Sequence, residues 1–109
     1  MIEILDHETD EGKIRFLAEH YSKKSQMEKT KEELMELLIE LDHAVEIGED
    51  TVVLPENTWS EVADVLIMVC QLAIQHGKEE KVKCWTDYKL SRQLRRICLE
   101  EKEPERRQE

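Results

Sequence analysis

The chain has 109 residues, 26 of them acidic and 16 basic, for a formal net charge of −10. That length suits a single domain, and the acidic balance repels a phosphate backbone, which argues against binding nucleic acid as a polymer. Three cysteines, an odd number with no CxxC spacing, fit reduced thiols better than a disulfide framework.

Three glycines and two prolines among long Glu/Lys/Leu-rich stretches point to an all-α fold. Residues 1–10 are acidic and poorly patterned, and are expected to be loosely ordered or to lie across a neighbour. Residues 1–6 have neither a basic start nor an apolar run of signal-peptide length. A first helix starts near Asp10 and carries Ile14, Leu17, Ala18 and Tyr21 at helical spacing, with Phe16 off that line. Ser22 or Ser25 then offers a fresh cap, the latter in an S-x-x-E arrangement with Glu28. From there a second helix runs to about Ile47, with Leu34, Leu37, Leu38, Leu41 and Val45 as its buried face. Gly48 ends it, residues 49–55 form the connection with a short extended piece at 51–54, and Pro55 forbids easy continuation.

The third helix begins around residues 56–58 and ends at Gln75, with His76 and Gly77 as its stop. Between residues 59 and 74 its apolar side chains cover nearly the whole circumference, leaving one polar stripe of Glu61, Asp64, Gln71 and Gln75. Asp64 and Gln71 interrupt this longest apolar run, so no bilayer-spanning segment is expected, and the chain reads as soluble and cytoplasmic. Such a helix belongs inside something, yet three neighbours of this size do not cover it comfortably. A homodimer or homotetramer is therefore expected, with the third helix close to the interface. The fourth helix spans roughly residues 79–100, with Leu90, Leu94, Ile97 and Cys98 on one side and Lys89, Arg92 and Arg96 on another. Cys70, Cys84 and Cys98 read as buried structural thiols. Residues 101–109 read as a charged, disordered tail, which leaves 1–100 as one domain resembling a four-helix bundle.

Two acidic patterns carry chemistry. Glu33, Glu36 and Glu40 fall within about 60° of each other on the second helix, beside the leucine face. Glutamates in such positions are also common on solvated helix faces, and acids are favoured near the positive end of a helix. Glu61 and Asp64 lie three apart on the third helix. Thr58-x-x-Glu61 matches a capping box, which would account for Glu61 but leaves Asp64 unexplained. In its mostly apolar setting, Asp64 must face a wet cleft, pair with a cation or take up a proton. Two such pairs on helices that pack together place four carboxylates around one site, the oxygen-rich setting that hard cations such as Mg²⁺ take.

Glu32–Glu33–x–x–Glu36 followed, after a loop, by Glu61–x–x–Asp64 resembles the EExxE…ExxD signature of the all-α nucleoside-triphosphate pyrophosphatases, the MazG-like and dimeric dUTPase-like superfamily. The likeness extends to Gln26 and Lys29 ahead of the first motif, to Val62, Ala63 and Val65 in the second, and to Lys89–x–x–Arg92. It covers roughly residues 15–98, and the motif pair in this order is more specific than either half. The extended piece at 51–54 and Trp59 have no counterpart in the motif.

The resemblance implies that Glu33, Glu36, Glu61 and Asp64 hold Mg²⁺, with Mn²⁺ as a substitute, and through it a nucleoside triphosphate. It implies attack of a metal-activated water on the α-phosphorus, releasing pyrophosphate and a monophosphate in a housekeeping or sanitising role. Glu33, then Glu32, is the proton acceptor in this reading. Lys89 and Arg92 are drawn by the resemblance toward phosphate contact, with Arg96 in the same stripe. A solvated basic face near a helix C-terminus explains that stripe equally well. Lys29 is a phosphate contact or an ordinary surface lysine, and Trp59 stacks on a base or simply packs.

Two rivals stand beside this. One is a non-catalytic helical oligomerisation module whose acids are solvated surface. The other is a di-metal redox bundle, suggested by Glu40-x-x-His43, although such bundles use the motif on two helices and it occurs once in this chain. No Gly-rich phosphate loop is present.

Overall fold

The computed structural model describes residues 9–102; the expectations for 1–8 and 103–109 lie outside them. The elements are α1 (Thr9–His20), α2 (Lys23–Asp42), β1 (Val45–Glu46), β2 (Val52–Val53), α3 (Thr58–Gln75) and α4 (Glu79–Lys102). The class is all-α with one small hairpin. The chain forms two compact units, Met1–Gly77 and Lys78–Glu109. Among the described residues, no helix is long and apolar enough to cross a membrane.

Of the two candidate serines, Ser22 opens α2: its backbone is extended and its Oγ accepts from the Ser25 N–H at 3.1 Å. The expected continuation of α2 to Ile47 is wrong. The helix closes at Asp42, and Val45 and Glu46 leave it to pair antiparallel with Val53 and Val52. β-branched residues on both sides of a turn explain the change, since Val45, Ile47, Val52 and Val53 fit a pleated ribbon better than a helix end. Gly48 therefore serves the turn, with φ +78°, and Ile47 N–H closes it on Thr51 O at 2.7 Å. Gly77 stops α3 as expected, at φ +63°.

In the first unit, α3 packs against both α1 and α2. Ile14 and Ala18 of α1 are buried, whereas Phe16 is exposed and stacks on His20. Gln75 fastens α3 to the end of α1, its Nε2 donating to Ala18 O at 3.0 Å and Tyr21 O at 2.7 Å. These are carbonyls that a helix end leaves without an internal partner. Along α2, Gln26 meets Met68, Glu33 meets Glu61 and Asp64, and Glu40 meets Asn57. Numbers rising on one helix as they fall on the other make α2 and α3 antiparallel.

The seam between them corrects a second expectation. The buried line of α2 is Gln26, Thr30 and Glu33, while Leu34, Leu38 and Leu41 are 47%, 58% and 45% exposed, Leu37 is half-buried and Val45 has left the helix. α3 turns Gln71 and Asp64 toward its neighbours, and Gln71 is 1% exposed. Gln26 Nε2 donates within α2 to Thr30 Oγ1 and across the seam to Met68 O, each at 3.3 Å. The leucine stripe is left open, as are Val62 and Val69 on α3.

α4 runs two residues past its expected end. Cys84 and Cys98 are exposed on it and Cys70 is half-buried on α3, so the thiols do not form buried packing as expected. Burial pushes the Cys70 thiol up.

Ile14→Ala is expected to lower the unfolding free energy by about 2 kcal/mol or more, because it empties a packed position. Phe16→Ala is expected to change it by no more than about 0.5 kcal/mol. Urea denaturation followed by circular dichroism separates the two.

Candidate metal centre

Three carboxylates from two helices meet in the α2–α3 seam. Glu33, Glu61 and Asp64 each bring an oxygen to within 4.8 Å of the others. Their spacing produces this: Glu33 continues the buried line of Gln26 and Thr30, and Glu61 and Asp64 share one face of α3. The Glu33 side chain is only 9% exposed, and Glu61 and Asp64 are half-buried.

The two glutamates are held alike. Glu33 Oε1 lies 3.5 Å from Lys29 Nζ, and Glu33 Oε2 is buried with no hydrogen-bond partner among the described residues. Glu61 Oε1 accepts from Asn57 Nδ2 at 3.3 Å, and Glu61 Oε2 is likewise buried and unpartnered. A buried acceptor left without a donor costs about 1–3 kcal/mol, more when charged. Open oxygens of this kind suit a hard divalent cation, so the donor set fits Mg²⁺ or Mn²⁺.

Glu36 stands beside the three. It is exposed, but the Glu33 carboxylate pushes its own carboxyl above the usual range, with partial desolvation and the charge of Glu61 adding to the effect. Glu32 is exposed and lies 3.7 Å from Lys29, whose ammonium is raised first by Glu32 and then by Glu33. The capping-box account of Glu61 is not what forms. The Thr58 N–H donates to Pro55 O, Thr58 Oγ1 is unpartnered, and Glu61 turns to Asn57 instead.

No protein-family model, curated protein or solved structure matches this chain. The site is therefore read from its own residues.

Lys89, Arg92 and Arg96 belong to the second unit, on α4, where Lys89 and Arg96 are exposed and Arg92 lies 5.7 Å from the centre of the Tyr88 ring. Trp59 is exposed in the first turn of α3. Glu40 and His43 do not join the three-carboxylate group. Glu40 instead accepts from Asn57 Nδ2 at 3.2 Å, and His43 follows the end of α2 as its cap. Sequence reasoning missed Asn57. Its available signal was an amide four residues before Glu61, a spacing that puts both side chains on one helix face.

A carboxyl whose value rises on folding loses stability as it ionises. The metal-free protein therefore weakens as pH climbs from the ordinary glutamate range through the raised value of Glu36. Glu36→Gln, which stays neutral, is expected to melt above wild type at pH 7, with the gap closing toward about pH 4. Melting curves of both proteins in chelator across that range check it.

Proposed function

We propose that this chain is a Mg²⁺-dependent nucleoside-triphosphate pyrophosphohydrolase, releasing pyrophosphate and a nucleoside monophosphate from ribo- or deoxynucleotides in a sanitising or housekeeping role. The observation that carries the reading is the meeting of Glu33, Glu61 and Asp64 within 4.8 Å across two helices, with two buried oxygens left open. It is joined to the motif resemblance, which implied these three residues together with Glu36, a residue outside the group of three.

In this reading Glu33, Glu61 and Asp64 would hold the metal, with Glu36 as a fourth ligand. When bound, Mg²⁺ supplies neutralisation of phosphate charge and a lowered pKa for its water. Glu33 accepts the proton of the attacking water, with Glu32 next in line. Lys29 is exposed and lies at the Glu33 end of the cluster, where its ammonium can turn toward a phosphate. Trp59, exposed in the first turn of α3, offers a stacking face to the base. Keeping Glu33 away from bulk water is the work of the α2–α3 seam.

The open apolar faces favour self-association. Met27, Leu34, Leu38 and Leu41 form an exposed stripe along α2, and a second copy is the occupant we assign, giving a homodimer or homotetramer. The same stripe is what supports the rival reading, a non-catalytic oligomerisation module.

Pyrophosphate release from a panel of canonical and modified triphosphates is expected with Mg²⁺ and not with chelator. Asp64→Asn is expected to reduce it by more than the roughly 10–100-fold that loss of an outer-shell partner costs. A module would release none and be indifferent to Asp64→Asn. Sedimentation at micromolar concentration is expected to show a species larger than the monomer, and Leu38→Glu to shift it toward the monomer; a monomeric wild type would contradict the assembly.

A further inference from the structure

Asn is among the best residues for opening a helix, because its side-chain oxygen can accept from the free N–H groups of the first turn. Asn57 occupies that position at the start of α3 and does not use it. Its backbone is helical, at φ −65° and ψ −15°, and its side chain makes no capping bond. The amide is engaged elsewhere: Nδ2 donates to Glu40 Oε1 at 3.2 Å and to Glu61 Oε1 at 3.3 Å, joining α2 to α3.

The geometry points to Asn57 as a positioning residue that fixes the Glu61 carboxylate for a divalent cation held with Glu33 and Asp64. This rests on the metal reading of the cluster. A carboxylate on a helix has several rotamers, and a bond to one oxygen selects among them. Here the bond takes Oε1 and leaves Oε2, buried and unpartnered, as the oxygen still to be satisfied. Glu40 anchors the amide from the opposite helix, so the orientation of Glu61 is referred to α2, which also carries Glu33. An amide suits the task because it donates without bringing a positive charge that would compete with the cation. Asn57 touches neither substrate nor metal and acts through Glu61.

The test is Mn²⁺ affinity of the full chain, read by electron paramagnetic resonance, with the melting temperature of the metal-free protein beside it. Asn57→Ser keeps a good helix-opening residue but is too short to bridge. It is expected to weaken Mn²⁺ binding by about 10–100-fold while leaving the metal-free melting temperature near that of wild type. A second pair avoids the helix start. Glu40→Gln keeps an acceptor for Asn57 and removes only charge, whereas Glu40→Ala removes both. Glu40→Ala is expected to bind Mn²⁺ several-fold more weakly than Glu40→Gln. Wild-type affinity in Asn57→Ser, or equal affinity in the two Glu40 variants, overturns the assignment while leaving the metal site standing. A wild type that takes up no Mn²⁺ overturns the metal reading and this assignment with it.

Discussion

Like charge forced together in a half-dry seam is the constraint on which this structure turns. Carboxylates whose oxygens lie within 4.8 Å of one another repel when ionised. Three such groups in one place work against the packing of α2 on α3. Polar contacts lie along the seam: Gln26 Nε2 donates across it to Met68 O at one end, and Asn57 Nδ2 to the carboxylates of Glu40 and Glu61 at the other. The acids lie between these two fastenings. Lys29 shields Glu33 on its exposed side, and Asn57 steadies Glu61 without adding charge. A cation in the middle would turn the repulsion into attraction, so the same arrangement that costs stability when empty gives affinity when filled.

The acidic spacing was legible because it is local. An i, i+3 pair sits on one helix face whatever the rest of the chain does, so Glu61 with Asp64 could be placed from sequence alone. Their meeting with Glu33 followed once the two helices were taken to pack. The leucine stripe misled for a physical reason: apolarity says that a face prefers to be covered, not which neighbour covers it. In this chain the line that α2 buries is Gln26, Thr30 and Glu33, and Leu34, Leu38 and Leu41 lie open. The end of α2 was illegible on similar grounds. Val45 continues the helical spacing of Leu38 and Leu41, and only the partner strand eight residues on shows that it leaves the helix.

Asn57 marks where reading residue by residue stops. Its type and place announce a helix cap, and the capping box at Thr58 and Glu61 announces the same for its neighbours. Neither bond forms: the Asn57 amide bonds instead to Glu40, seventeen residues away in sequence, and to Glu61. A local preference worth about 1 kcal/mol gives way to a contact that ties two elements together. Departures of this kind from the local rule are expected where a site imposes its own demands.

The hairpin between the two acidic helices has one more implication. Its rungs at Val45–Val53 and Glu46–Val52, closed by Ile47 on Thr51, pin the chain together before the tip is reached. Residues 48–50 are therefore decoupled from the spacing of the carboxylates on either side. The tip can therefore change in size, or carry an inserted loop, while the same acids keep their register.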